Sequence, residues 1–201
     1  MGITERTAKR ALILDAARRV FEADGLDGAS LRAIAAEAGY TPPALYFHFT
    51  SKEDLYAAVL HASLARLGSD VAAAAATETT WAGRLHAAAM AFFGFYAKHP
   101  RDLDLGFYLL RGGMKPAGLG RARDEALNAA LADALAPIAD AARDAGLSAE
   151  AAELLVVDLF AHAVGLLLLA HTGRIRMFGA SAEAMMDAHV RRQVGHLRDG
   201  T

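Results

Sequence analysis

The chain has 201 residues, of which 54% are hydrophobic and 22% charged, so it can form a packed core and global disorder is excluded. Its formal net charge of −2 excludes a protein that coats nucleic acid through bulk positive charge, but not one with a local binding surface. Cysteine is absent, which also excludes disulfides, thiol catalysis, iron–sulfur clusters and thiolate zinc sites.

Neither the first residues nor the most apolar stretch indicates export or a membrane. Residues 1–10 are polar and lack the apolar core of a signal peptide. Residues 154–170 are the most lipid-like, but Asp158 and His162 interrupt them, whereas a membrane span needs about 20 apolar residues without such groups. We therefore expect a cytoplasmic protein, with no membrane partner and with a buried helix over this stretch.

Apolar residues recur at spacings of three and four, and no stretch alternates apolar and polar residues for long enough to predict a strand. The expected fold class is all-α. The first helix should cover residues 4–23, with Gly25 just past its end. Ser30 then offers an N-cap for a short helix over 31–38, which Gly39 stops.

A second short helix is expected over residues 42–47. Thr41 is its predicted cap, and Pro42 and Pro43 fall in the first turn, where their missing N–H groups would have had no partner inside the helix. Residues 51–54 fit a capping box and begin a long helix over 52–75. Later helices are expected over 81–99, 101–110, 121–145, 149–172 and 182–197, with Ser148 and Ser181 as caps.

The two short helices and their glycine turn predict a helix-turn-helix, a motif that places its second helix in the major groove of DNA. Leu45 and Phe49 would anchor that helix from behind, and free N–H groups near Ser30, Thr41 and Ser51 could each meet a phosphate. The outer face would carry Thr41, Pro42, Ala44 and Tyr46, and further side-chain contacts could come from Tyr46, His48 and Lys52.

The segment AGYTPPALYFHFTSKEDL, residues 38–55, resembles the recognition helix and following turn of the TetR family of bacterial transcription regulators. The pattern of Ile13-Leu14-Asp15-Ala16-Ala17, Phe21, Gly25 and residues 31–35 fits the same family, so the resemblance covers about residues 7–60. It implies a three-helix DNA-binding domain over 1–50, which the helix over 52–75 joins to a larger helical bundle over 51–201 for ligand binding and dimerisation.

The resemblance further implies a homodimer that binds a near-palindromic operator in double-stranded DNA, usually to repress, and that a small-molecule effector releases. By motif position, Thr41, Tyr46, His48 and Lys52 should contact the DNA, with Pro42, Pro43 and Ala44 nearest the bases. The family often has glycine at position 43 and a more varied or basic residue at 42. The two prolines remove hydrogen-bond readout there, so sequence choice should rest more on thymine methyls and DNA shape.

The charge of the N-terminal part predicts modest nonspecific affinity. Residues 1–60 contain seven basic and eight acidic side chains, a net charge of −1. Because nonspecific affinity grows with the number of phosphates that a protein neutralises, we expect a shallow to moderate dependence of DNA binding on salt.

The C-terminal part is rich in aromatic residues and methionine, which either line a ligand pocket or pack as ordinary core. Asp158 and His162, four residues apart, share a helix face and could orient a ligand, bind a metal, pair across a dimer or form a satisfied buried pair. The pocket candidates are His86, Met90, Phe93, Phe107, Tyr108 and His162.

The helix over 149–172 is apolar on more than one side, so it needs a second partner surface. In the family that this chain resembles, the last two helices of two subunits form a four-helix bundle. The dimer candidates are Leu154, Val157, Phe160, Ala161, Val164 and Leu168.

The residue patterns favour no enzyme activity. The histidines form no zinc motif, and no nucleophile and base are paired, so we expect no metal site and no cofactor. Two alternatives to an inducible regulator stay open. One is a constitutive DNA-binding regulator without an inducer, and the other is an enzyme that uses Asp158 and His162.

Overall fold

The computed structural model describes residues 2–106 and 119–199, with side chains from residue 8 onward. All regular secondary structure in these ranges is helical, which confirms the all-α prediction. The elements are α1 (Gly2–Gly28), α2 (Leu31–Glu37), α3 (Pro42–Tyr46), α4 (Lys52–Ala76), α5 (Trp81–Lys98), α6 (Pro100–Gly106), α7 (Arg121–Asp144), α8 (Ala149–His171), the 3₁₀ helix η1 (Arg174–Phe178) and α9 (Ala182–Asp199).

The helix ends differ from the predicted ones at a few places. α1 continues to Gly28, but it kinks at Gly25, where φ is 70°, a conformation that glycine adopts without a side-chain clash. α6 begins at Pro100, one residue before the predicted start, because the first turn of a helix tolerates a residue without an N–H group. The predicted continuation of α6 to residue 110 lies outside the described residues. η1 was not predicted.

The first compact unit comprises residues 1–63 and 101–130. Its core joins α1–α3 and the first half of α4 to residues of α6 and α7. The rings of Phe21 and Tyr56 meet edge to face at 4.7 Å, and the Tyr56 hydroxyl donates a hydrogen bond of 2.8 Å to the Leu105 carbonyl. The grouping of residues 101–130 with the N-terminal part was not foreseen. The functional division at residues 50 and 51 stays a prediction.

The second compact unit comprises residues 64–100 and 131–201. In it, α5 packs against α8 and α9, and α8 also packs against α9 and η1. Phe92 is buried and its ring lies 5.6 Å from that of Phe160, which joins α5 to α8. Ser148 and Ser181 cap α8 and α9 as predicted, since their hydroxyls accept from the N–H groups of Ala151 and Ala184.

The prediction that α8 is a buried helix is wrong for the single chain. The helix is 23 residues long with a mean hydropathy of 2.1, enough by length and composition to cross a membrane, yet only 22% of its most apolar window is buried. Leu154 is 64% exposed and Leu168 60%. The reason is geometric: α8 buries the face that meets α5 and α9, whereas its opposite face, also apolar, is exposed among the described residues.

Candidate nucleic-acid interface

Helix α2 begins and ends as its sequence predicts. The Ser30 hydroxyl accepts a hydrogen bond of 3.1 Å from the N–H of Ala33, as an N-cap does. Gly39 follows the helix with φ 71°, and the next N–H, that of Tyr40, donates 2.8 Å back to the Ala35 carbonyl. This left-handed turn, which glycine favours, reverses the chain and delivers it to α3.

Helix α3 has one buried side and one solvent side. Leu45 is fully buried and Phe49, just beyond the helix, is nearly so, which confirms that both point inward. Tyr46 is 58% exposed and Phe47 84% exposed. The large rings next to the buried anchors therefore face solvent, as a helix that enters a DNA groove requires.

Phe47 is a surface residue that the sequence analysis missed. Its ring is the most exposed large hydrophobic of the described residues and meets only the edge of His48, at 5.9 Å between centroids. Its position could have been inferred, because Phe47 lies two residues from both Leu45 and Phe49 and so falls on the opposite side of this short segment.

The N-terminus of α3 differs from the expectation. Thr41 occupies the N-cap position, but its side chain makes no capping hydrogen bond. Pro42 and Pro43 have no N–H, and the N–H of Ala44 donates 3.0 Å to the Thr41 carbonyl. The expectation that N–H groups of this helix start can hold a phosphate is therefore wrong, because the prolines remove the donors that an ordinary first turn leaves free.

The start of α4 keeps its donors. The Ser51 hydroxyl accepts 3.1 Å from the N–H of Asp54, so the predicted cap is present, and the first-turn N–H groups of Lys52 and Glu53 have no partner inside the helix. The Lys52 ammonium donates 3.3 Å to the Asp27 carbonyl, which ties this helix start to the C-terminal end of α1. The starts of α2 and α4 can therefore still present N–H groups to phosphate.

Ion pairs neutralise several acidic groups of the first unit. Glu22, nearly buried, lies between Arg18 at 3.4 Å and Arg101 at 2.9 Å. Glu37 pairs with Arg19 at 2.7 Å. The net charge of −1 over residues 1–60 thus overstates the negative charge free to repel DNA, since Arg101 comes from outside that segment.

The predicted pocket residues do not converge on one cavity. Met90 and Phe93 line a cavity of about 380 Å³ together with Lys98, Leu167 and His171. His86 lines a different cavity, of about 440 Å³, and its ring bonds to the Asp187 carboxylate at 2.7 Å. Phe107 and Tyr108 lie outside the described residues. The sequence analysis missed the polar and charged residues that line the first cavity, which are Lys98, His171 and Glu183.

His162 lies apart from both cavities. Its ring stacks on that of His189, 3.8 Å between centroids and 12° between planes, and its Nε2 is buried without a hydrogen-bond partner. Asp158 accepts from His189 at 2.9 Å and from Gln193 at 3.0 Å, so of the alternatives left open by the sequence, a buried pair of Asp158 with His162 is not formed. Burial and the neighbouring His189 lower the pKa of His162 below its usual 6.5.

The predicted dimer residues divide into two groups on α8. Leu154, Val157, Ala161 and Leu168 are exposed and share one stripe at spacings of three, four and seven. Phe160 and Val164 are half-buried on the side of the helix that turns towards α5. Among the described residues, no three histidine, aspartate or glutamate side chains are placed to hold a metal ion.

Comparison with known proteins agrees with this geometry. The model of the family described as "Bacterial regulatory proteins, tetR family" matches residues 13–59, which include α2 and α3. The chain is 35% identical over 162 residues to the HTH-type transcriptional activator FasR of Mycolicibacterium smegmatis, covering 79% of this chain and 70% of FasR. It is 36% identical over 69 residues to the HTH-type transcriptional repressor AcnR of Corynebacterium diphtheriae, covering 34% and 36% of the two chains.

A solved structure shares the fold over nearly the whole chain. The transcriptional regulator FadR of Bacillus subtilis, solved in complex with stearoyl-CoA, superposes with a TM-score of 0.70 at 15% identity, covering 92% of this chain and 96% of FadR. The N-terminal helix-turn-helix and the helical C-terminal part thus occur together in both. With this fold, the family match and a 35% identical relative covered over 70% of its length, the chain belongs to the TetR family of DNA-binding transcription regulators.

Proposed function

We propose that the protein is a homodimeric transcription regulator that reads a near-palindromic DNA operator with α3 and responds to a small amphipathic molecule. The observation that carries the proposal is the two-sided surface of α3. Leu45 is fully buried while Tyr46 and Phe47 are 58% and 84% exposed, so one side of the helix packs on the core and the other is accessible to DNA.

On DNA, the exposed side of α3 would enter the major groove. Pro42, Pro43 and Ala44 have no side-chain donor or acceptor, so they would make apolar contacts such as those with thymine methyls. The hydroxyls of Thr41 and Tyr46 would supply the polar contacts. Ser30, His48 and Lys52 lie at neighbouring helix ends, and with the N–H groups of α2 and α4 they would hold phosphates.

A second copy of the chain would cover the exposed apolar stripe of α8. Leu154 and Leu168 stand at its two ends, 14 residues or about 21 Å apart along the helix. A stripe of this kind, with a buried face behind it, indicates a helix that packs on two sides. We propose that α8, with α9, forms a four-helix bundle with its copy in the partner subunit.

The cavity beside Met90 and Phe93 is the proposed effector site. Its wall is apolar, with Leu167 opposite, and Lys98 offers a cation for an acidic group. FadR, which has the same fold, binds stearoyl-CoA, and this supports an effector with an apolar tail and an anionic head. The alternative is a regulator that keeps the fold and binds DNA constitutively.

We propose that the effector shifts the dimer between two states, of which only one fits the operator. The recognition helices of a helix-turn-helix dimer must lie one DNA turn apart, about 34–36 Å. Five residues connect α3 to α4, which runs to Ala76. A shift of α4 would therefore change the distance between the two recognition helices. A coupling of about 1–3 kcal/mol between effector and DNA would lower affinity 5–150-fold, which suits a repressor.

Selection of DNA from a random pool by the purified protein tests the proposal. We expect a symmetric consensus and strong binding of it in a gel-shift titration. Replacing Tyr46 and Lys52 together by alanine should abolish this binding without changing the circular dichroism spectrum, and Arg121→Ala, a fully exposed position on α7, is the matched control. Selection that returns no consensus, or a double variant that still binds, would refute DNA reading by α3.

A further inference from the structure

The corner that follows the recognition helix is held by one carboxylate. Residues 47–51 connect α3 to α4, and Asp54 lies in the first turn of α4. Its Oδ2 accepts a hydrogen bond from the Thr50 hydroxyl, and its own N–H donates 3.1 Å to the Ser51 hydroxyl. Asp54 therefore closes over the corner from the α4 side, and a carboxylate at this position is favoured by the positive end of the helix dipole.

The other oxygen of the same carboxylate is held from α7. Arg123 donates to Asp54 Oδ1 from its Nε at 2.6 Å and also from Nη2. Its Nη1 donates 3.1 Å to the Leu119 carbonyl, and the N–H of Leu119 donates 3.0 Å to Asp124 Oδ1. The guanidinium is thus fixed on both sides, and the two oxygens of Asp54 are divided between the corner and α7.

The partial exposure of the Arg123–Asp54 pair indicates that it orients the connection between α3 and α4 more than it stabilises the fold. The Arg123 side chain is 36% exposed and that of Asp54 27%, so water screens the charges and the pair adds little to global stability. Its hydrogen bonds are directional, however, and charge-assisted bonds are the stronger kind. Loss of the pair should therefore release the corner more than it unfolds the domain.

We propose that Arg123 is a positioning residue for DNA binding. It holds Asp54, and Asp54 holds Thr50 in the connection between α3 and α4, so Arg123 fixes the orientation of α3. Arg123 stands 69 residues from Asp54 in sequence and outside the segment that the family model matches. The inference rests on the proposed reading of DNA by α3. It assigns to the base of α7 a part in orienting that helix.

The test compares DNA affinity in three variants of the full chain. Arg123→Met keeps an unbranched apolar stem but removes the guanidinium and its donors. We expect about fivefold weaker binding per DNA-binding domain, or about 25-fold per dimer, to the selected DNA. Arg123→Lys keeps the charge and one donor, so it should regain part of the affinity. Arg121→Met is the matched control, because the Arg121 side chain is 92% exposed and pairs with Glu125 on the same helix, so this variant should bind as wild type.

Two further readouts separate positioning from other roles. If Arg123 itself touched a phosphate, the salt dependence of binding would lose a slope of about 1 per head in Arg123→Met; an unchanged slope supports positioning. In the double variant Asp54→Asn/Arg123→Met, we expect the affinity of the single variant. Recovery to wild-type affinity would show that Arg123 only neutralises charge, and would overturn the proposal.

Wild-type affinity in Arg123→Met would overturn it as well. Failure of the wild-type protein to select any DNA would instead refute the proposed function, so the two failures are distinguishable. Should Arg123→Met fail to fold, Arg123→Lys carries the test: with α3 and its contacts unchanged, it must still bind more weakly than Arg121→Met.

Discussion

Truncation of the exposed stripe of α8 should weaken the dimer by an amount that the structure allows us to work out. Leu154 is 64% exposed and Leu168 60% exposed in the single chain. Replacing either by alanine removes three carbons, worth about 0.8 kcal/mol each when fully buried. Scaled by the exposed fraction that a partner can cover, each substitution costs about 1.5 kcal/mol per copy, or about 3 kcal/mol per dimer.

At about 1.4 kcal/mol for each factor of ten, one substitution should raise the dissociation constant of the dimer about 100-fold and both together about 10⁴-fold. Sedimentation equilibrium over a concentration series measures this constant directly. Leu12→Ala is the matched control, since Leu12 is a leucine of similar exposure, 58%, on α1. The wild-type chain should be dimeric at micromolar concentration.

Three results would refute this reasoning. The wild-type chain could sediment as a monomer, the double variant could dimerise as tightly as wild type, or Leu12→Ala could weaken the dimer equally. The first two would mean that the stripe is not the dimer surface. The third would mean that loss of any exposed leucine has the same effect, so the exposed fraction would carry no information on the interface.

Four other measurements test separate parts of the proposal. DNA binding should show a salt slope clearly shallower than the value of about −10 for a strongly basic repressor, and a slope that steep would contradict the charge argument. Ser30→Ala should lose about 1 kcal/mol in urea unfolding, because it removes the cap of α2. Met90→Trp should narrow the cavity and reduce any rise in melting temperature caused by stearoyl-CoA. Because the pKa of folded His162 is below its usual 6.5, the unfolded chain binds more protons below about pH 6.5, so stability falls there and His162→Gln should reduce that fall in thermal melts.

The helix-turn-helix could be predicted from sequence because its signals are local. Ser30 as a cap and Gly39 as a left-handed turn each act within a few residues, and both are found as expected. Leu45 and Phe49 are four residues apart and so lie on the same side of the helical segment, which is why their burial follows from the spacing. The N-terminus of α3 was predicted inconsistently: the missing N–H groups of the prolines placed the helix start, yet the same start was expected to donate N–H groups to a phosphate.

Long-range pairings could not be predicted, since nothing local encodes them. Asp54 and Arg123 are 69 residues apart, and Asp158 finds His189 on another helix in place of its expected neighbour His162. Hydrophobicity also misled the analysis of α8. An apolar helix is compatible with burial inside one chain and with burial between two, and its sequence alone does not show that one face is exposed among the residues that the structure describes.

The charge of the DNA-binding segment and the apolar stripe on α8 together bear on how strongly the protein can bind DNA. A single head with a net charge of −1 over residues 1–60 gains little from counterion release, and its prolines give up hydrogen bonds to the bases. Two heads held at a fixed spacing add their binding free energies, because the second contact becomes intramolecular. We therefore expect the affinity for DNA to depend on the proposed dimer, so the α8 variants should lose DNA binding although they leave the proposed DNA-contacting residues in place.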